Sequence, residues 1–594
     1  MKSSQKKSKD LKTEKLSMKE AFDIAKRGSK TIVVDNGSGK NRSLREWLWN
    51  YPENISSFFT NTSPLSFIGI FLVIGAMLFF FLRSDSFANM FEKENSQVFV
   101  EGSVGAISTF NPIFATQNPV DKDIQSLVFE KFVNININGE PVEGIAKEWN
   151  VSKDNKVYDF TIDTSHKWQD GKSLTVDDII FTFEISKKLF SENGYDTIGS
   201  SLQDVTVEKV SENQIKFTLK ESNSTFFEAV SVYIVPEHIL GSVSLSDIPF
   251  NSFSRYPLGS GPYKVYRSEP NVVYMSGSDN YPVQPKIETL IYRLYPDYKS
   301  MEAAFRNGVL DAIGGIDGGA MEFTTEYDGY VNYSMTVYSR IRMLFFNIRK
   351  DKLESKDIRI ALDYITDKEL LLKNSNILGT IEDGPIPPSS WAYNKDIVKY
   401  GYDPTKGEEL FNAAGYVKNE ANGYYESEDG KILSFTISYY DNEINRRLVG
   451  ALKDMWKKEG VVLNQEPLSY TQLTQEILAT RDYEILLYEI ETTVDPDQYN
   501  LWHSLKSNYP DLNLSGYSYE RVDILLEEAR RSISRKERTE KYVLFQKYLT
   551  QDAPVMFLYH PKYVYIVSDN VKIPELGDIA YPFQRFAQIP LWGR

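Results

Sequence analysis

The chain has 594 residues, 41% hydrophobic, 13% aromatic and 25% charged, a balance that excludes wholesale disorder and low-complexity structure and leaves room for about three to five domains. It has no cysteine and four histidines, which excludes disulfides, thiolate metal sites, a catalytic thiol and a cysteine-borne lipid anchor. Residues 1–64 carry 13 Lys and Arg against 7 Asp and Glu, a segment of +6, so a chain of net charge −15 has −21 on the remainder; that acidic body argues against a nucleic-acid-binding surface.

In the basic N-terminal segment, Ser17 and Glu20 have capping-box spacing, Met18, Phe22 and Ala25 share a helical face, and Gly28 offers a stop. Asp35-Asn36-Gly37-Ser38-Gly39-Lys40 fails as a phosphate loop because Val34 stands where a glycine is needed. His166 rejects Gly171-Lys172-Ser173 on the same ground. Ser43 and Glu46 repeat the capping signal, and Trp47 and Trp49 with Arg42 and Arg45 make the mixture that lies at a headgroup boundary.

From Leu65 to Leu82, 18 residues pass without a charge, about 27 Å of helix and near the lower limit for crossing a bilayer. We read one transmembrane helix at 65–82. The 64 residues before it, many of them basic, favour an uncleaved anchor over a signal peptide, with Ser86-Phe87-Ala88 as a weak cleavage pattern. The positive-inside rule then puts the tail, residues 1–64, in the cytosol and the body outside a cell membrane crossed once, after a linker at 83–97.

From Val98 onward, strand and helix signals mix without regular βαβ alternation, which predicts α/β lobes with mixed sheets. Tyr158, Phe160 and Ile162 alternate as a half-buried strand does. Thr175 with Asp178 caps a helix in which Val176, Ile179, Phe183, Ser186 and Phe190 recur at helical spacing. Val522, Leu525, Leu526, Ala529 and Ile533 form a later stripe. Ser534 and Glu537 then read as the capping box of a last helix bearing Tyr542, Phe545 and Leu549. These stripes are core and need no cofactor.

Several short runs are recognisable. Leu127-Val128-Phe129-Glu130, Gly139-Glu140-Pro141 and Ile145-Ala146-Lys147-Glu148-Trp149 are followed by Lys167-Trp168-Gln169-Asp170-Gly171 and Leu174-Thr175-Val176-Asp177-Asp178-Ile179. Then come Gly259-Ser260-Gly261-Pro262-Tyr263, Gly308-Val309-Leu310-Asp311-Ala312, Phe346-Asn347, Asp357-Ile358-Arg359-Ile360-Ala361-Leu362, Asp403-Pro404, Asp495-Pro496 and Asp552-Ala553-Pro554. In this order they resemble the family 5 extracellular solute-binding proteins, the peptide- and nickel-binding receptors of ABC importers. The resemblance spans residues 98–594. Read physically, Gly259 and Gly261 supply backbone angles that a loop could not otherwise reach, Pro262 stiffens it, and Trp168 leads a strand into a tight turn.

The resemblance implies a two-lobed, periplasmic-binding-protein-like α/β fold with mixed sheets and an extra domain, here preceded by the transmembrane helix. Motif order places the first lobe at 98–138, 241–341 and 556–594, the extra domain at 139–240 and the second lobe at 342–555. It implies capture of an oligopeptide by lobe closure, with main-chain hydrogen bonds and salt bridges to the peptide's termini, and delivery to an ABC permease driven by separate ATPase subunits. In well-known peptide receptors an aspartate three residues before the Asp-Pro or Glu-Pro pair holds the ligand's amino group; here Thr492 stands there, with Glu491 and Glu489 as possible substitutes.

The candidate cleft residues are Asn111, Trp391, Tyr393, Glu491, Thr492, Asp495 and Trp502. Packing or turn formation explains Trp391, Tyr393 and Asn111 equally well. His503, a lone histidine, reads as packed or solvated. No resident metal or cofactor is expected, since nickel bound by protein alone needs a cluster of ligands the pattern lacks; nickel in an organic chelate stays open. Without a G-x-S-x-G elbow, H-E-x-x-H or cysteine, the chain does not read as an enzyme. A surface sensor or scaffold on the same fold is the remaining alternative, supported by the length of the tail.

Overall fold

A 14-residue strand, Val555–Ser568, runs through the middle of the body and is buried at nearly every position, as a strand covered on both faces must be. Its first half pairs antiparallel with Arg340–Phe346. Its second half pairs antiparallel with Ala312–Asp317 and Tyr330–Thr336, and Gly379–Ile381 joins across its middle. One 12-stranded mixed sheet therefore passes through both lobes.

The computed structural model describes residues 97–317 and 329–594, together with two short strands, Val33–Val34 and Arg42–Ser43, that pair antiparallel. The apolar run at 65–82 and the helices expected in the tail lie outside the described residues. Among the described residues no helix is long and apolar enough to cross a membrane.

In the first lobe, Val98–Val104 lies parallel to Thr289–Tyr295 and to Ala312–Asp317, with the hairpin Tyr263–Glu269 and Val272–Gly277 at the edge. In the second, Ile485–Glu491 pairs antiparallel with Arg340–Phe346, and Ser434–Tyr440 runs parallel to Ile485–Glu491 and to Val462–Leu468. The parallel pair Ser434–Tyr440 and Val462–Leu468 needs a crossover, supplied by helix Glu443–Glu459, which carries Leu448, Leu452 and Trp456 into the core. Apolar residues cover both faces of this half-sheet, Leu344, Phe435 and Trp456 on one and Phe345, Trp502 and Tyr542 on the other.

A separate four-stranded antiparallel sheet, Ala146–Val151, Val157–Ile162, Gln214–Leu219 and Val205–Ser211, packs with helix Val176–Asn193 around Phe132, Phe160, Phe183 and Phe217. The expected alternation of Tyr158, Phe160 and Ile162 is realised, all three being buried. The capping box of Thr175 and Asp178 also forms, but Phe190 is 38% exposed because the stripe drifts off the core at the helix end. Helices Glu520–Arg531 and Arg535–Asp552 follow the predicted stripes. Ile533 falls between them and is exposed. Only half of the second capping box forms: Ser534 accepts from the Glu537 amide, while Ser532 donates to the Glu537 carboxylate.

The glycine pair at 259 and 261 has a different cause from the one expected. Neither residue has a left-handed backbone; a Cβ at Gly259 would stand 1.9 Å from the Val128 carbonyl oxygen, and one at Gly261 2.7 Å from its carbon. Close approach to another backbone, not an unusual angle, requires glycine here. Gln169 stitches the same loop, donating to the carbonyls of Tyr263 and Gly261 and accepting from the Gly259 amide at 2.7, 3.2 and 3.0 Å. Gly171 does adopt a left-handed φ of 88°, closing the turn after Trp168.

Candidate ligand cleft between the lobes

Helix Pro119–Val128 supplies one wall. Asn118 caps it by accepting from the Val120 amide at 3.0 Å, and Pro119 takes the first turn. Asp121 accepts from the amides of Ser108 and Thr109 at 2.9 and 3.0 Å, which ties the preceding loop, with Phe114 and Thr116, to the helix. Burial holds the Asp121 carboxyl above its usual range.

The other end of this wall is fixed by a buried ionic network. Arg585 donates to Glu101 at 3.0 Å and to Asp123 at 2.9 Å, and Tyr565 and Tyr292 donate to the same two carboxylates at 2.8 and 2.6 Å. Desolvation pushes the Glu101 carboxyl up to about 7 in spite of Arg585. The network clamps turn Pro582–Phe586 against the helix. Tyr581 and Phe583 thereby stack at 5.4 Å with nearly parallel rings, facing the cleft.

Between these elements and the second-lobe segment Glu491–Val494 lies a cavity of about 370 Å³. Lys122 and Gln125 of the helix line it, with Lys131, Glu228, Tyr233, Tyr581 and Phe583. A second cavity of about 270 Å³ adjoins it across Ile135 and Glu228, lined by Trp391, Tyr158, Phe227 and Arg535. A third, of about 770 Å³, adjoins it across Lys131, Tyr233 and Phe583.

Contacts cross this junction. Lys122 meets Glu491 at 2.7 Å, the Asp495 amide donates to Glu228 at 3.2 Å, Tyr581 donates to the Thr492 carbonyl at 3.4 Å, and Arg535 meets Glu140 at 2.6 Å. Glu491 also pairs with Arg340 at 3.1 Å. Glu228 and Lys131 are different: among the described residues neither closes an ion pair. Lys131 reaches Ser231 at 3.5 Å and sits over the rings of Tyr233 and Phe583. Burial, then the Asp495 carboxylate, pushes the Glu228 carboxyl up to about 7. Burial pulls the Lys131 ammonium below its usual range.

The structure brings together some of the sequence candidates. Glu491 and Thr492 line the central cavity; Trp391 and Asp495 line its neighbour. Asp495 is committed to Arg538, which also lies 5.1 Å over Trp391, so this aspartate braces the cavity floor. Asn111 is fully buried and accepts from the Ile113 amide at 3.2 Å, a turn adjoining the cavity residue Pro112. Tyr393 and Trp502 line none of these three cavities. Trp502 is 1% exposed, stacked on Phe345 with its indole donating to Gln498. His503 stacks on Tyr499 and faces Glu527. Sequence reasoning missed Lys122, Gln125, Lys131 and Glu228, although the motif Leu127-Val128-Phe129-Glu130 ends the helix that presents the first two.

A sequence model of "Bacterial extracellular solute-binding proteins, family 5 Middle" matches residues 140–511. The chain belongs to that family. This family 5 protein is 25% identical over 491 residues to the oligopeptide-binding protein AppA of Bacillus subtilis, covering 80% of this chain and 88% of the relative. It is 23% identical over 495 residues to the dipeptide-binding protein of Escherichia coli, covering 79% and 90%. The crystal structure of NikZ from Campylobacter jejuni in complex with Ni(L-His) matches with a TM-score of 0.69 and 25% identity over 84% of this chain and all of the other. AppA of B. subtilis in complex with a nonapeptide matches with a TM-score of 0.67 and 24% identity over 83% and 98%. These neighbours carry the two-lobed α/β fold, and these relatives are binding proteins.

Proposed function

We propose that this protein is a membrane-anchored extracytoplasmic receptor that captures oligopeptides by lobe closure and hands them to an ABC permease with separate ATPase subunits. The observation that carries the reading is the cavity at the lobe junction, walled by helix Pro119–Val128 on one side and Glu491–Val494 on the other. A ligand that contacts both walls favours the closed arrangement by its differential affinity alone. The apolar clusters support three cores close to the segments read from the motifs, 98–138, 241–341 and 556–594, then 139–240, then 342–555, with Ile185, Leu189 and Val235 packing into the first, Phe132 into the second and Met556 to Tyr559 into the third. The charge-free run at 65–82 supports the anchor.

Chelated nickel is the second reading, favoured by the likeness to a protein solved with Ni(L-His). Among the described residues no group of three His, Asp or Glu side chains is placed to hold a metal, so nickel would arrive in its own chelate. Native mass spectrometry of the full-length protein, with a mixed peptide pool and separately with nickel–histidine, tests both. Bound peptide masses with a raised melting temperature are expected; an unchanged mass and melt in every peptide pool overturns the peptide reading.

A further inference from the structure

Two acidic side chains of the cleft are paired with cations, and two charged side chains have no ion pair among the described residues. Glu491, next to the position where peptide receptors carry their ammonium-binding aspartate, is held by both Lys122 and Arg340. Asp495 is held by Arg538. That leaves Glu228 and Lys131, which line the same cavity from the same side of the cleft and attract one another without closing an ion pair. The Gln125 amide, only 5% exposed and in the same wall, has an Nε2 without a hydrogen-bond partner among the described residues.

Resting on the reading of a peptide receptor, we propose that Glu228 and Lys131 are the charged anchors of the cleft, Glu228 taking the ligand's ammonium group and Lys131, with Gln125, its carboxylate. The ligand is then a short zwitterion of the dipeptide class. Three arguments converge. Among the described residues Glu228 has only the Asp495 amide and Lys131 only the Ser231 hydroxyl, at 3.2 and 3.5 Å, so neither charge is balanced by an ion pair, and a ligand bearing both opposite charges balances both at once. The rings of Tyr233 and Phe583 hold the Lys131 ammonium in place, so its position is set before binding. Both anchors line one cavity of about 370 Å³, so the two charges of the ligand lie close together, and the adjoining cavities take its side chains.

Both anchors lie across the cleft from Glu491–Val494, so the ligand docks on one wall and the opposite lobe closes over it. The Asp495 amide reaches Glu228 from that lobe at 3.2 Å. This gives closure a direct contact with the anchor itself.

The test is isothermal titration of the full-length protein with L-alanyl-L-alanine, its N-acetyl and C-amide forms, and a nonapeptide. Alanyl-alanine is expected to bind most tightly, each capped form at least tenfold more weakly. Glu228→Gln is expected to weaken alanyl-alanine at least tenfold while leaving the N-acetyl form unchanged; Lys131→Met should do the same for the C-amide form. Circular dichroism melts check that both variants fold, and the capped ligands test the idea on the unaltered protein. Equal binding of capped and uncapped peptides, tightest binding of the nonapeptide, or equal loss for all ligands in Glu228→Gln overturns the anchors while leaving the peptide reading standing. If nickel–histidine binds and no peptide of any length does, both fall.

Discussion

Two sets of charged side chains in this molecule have opposite fates. In the first lobe, Arg585 with Glu101 and Asp123 forms a network in which every charge has a partner and two tyrosines complete the hydrogen bonds. In the cleft, Glu228 and Lys131 are close enough to feel each other yet form no pair. The lesson is about who supplies the partner. Where the chain supplies it, the charges are architecture, fixing a helix against a turn. Where it does not, the charges face a cavity, and a partner from outside is the economical completion.

The contrast can be broken at its strongest point first. Arg585→Met leaves Glu101 and Asp123 facing each other in the core, and a loss of about 3–5 kcal/mol is expected, read by urea denaturation. A loss under about 1 kcal/mol would show that the network is not holding the wall. Next, Gly259→Ala drives a methyl group into the Val128 carbonyl, with about 1–3 kcal/mol expected from strain in the same measurement. Wild-type stability would mean that the loop moves freely off the helix.

Glu491→Gln releases Lys122 and Arg340 together. Because that carboxylate is only partly buried, about 1 kcal/mol is expected, or a roughly fivefold weaker peptide affinity at unchanged preference between free and capped termini. A changed preference would move the ammonium anchor from Glu228 to Glu491.

The smallest effect is a slope. The Glu101 and Glu228 carboxyls, raised by burial to about 7 from an ordinary 4.5, stay protonated in the folded state where the unfolded chain has already ionised. The two together therefore lower stability as pH rises from about 4.5 to about 7, with no further change above. Thermal melts across that window should decline less steeply in Glu228→Gln than in the wild type, and identical slopes would place Glu228 in contact with water.

Much of the fold was legible because local rules and global fold agree. Thr175 and Asp178 cap the helix they announce, and Tyr158, Phe160 and Ile162 point inward as alternation requires. The glycine pair at 259 and 261 was visible, but its reason was not, because close approach to Val128 depends on a contact 131 residues away in sequence. The cleft was half legible. Glu491 and Thr492 could be found from their distance to Asp495-Pro496. Trp502, just as near, turns into the core behind Phe345, since proximity to a motif carries no information about side-chain direction. Glu228 sits on a five-residue helix, Phe226–Val230, with nothing around it to mark it as more than a surface charge. Only the folded chain sets it beside Lys131.

Strand Val555–Ser568 also has a consequence for assembly. It is the last strand of the body, yet it completes the pairing of Arg340–Phe346 in one lobe and of Ala312–Asp317 and Tyr330–Thr336 in the other. During synthesis, both lobes wait with open sheet edges for a strand made after all of its partners, and such edges pair readily with the wrong partner. The order of the sequence thus sets a timetable: the half of the strand that completes Arg340–Phe346 is made before the half that completes Ala312–Asp317 and Tyr330–Thr336, so one sheet edge closes ahead of the other.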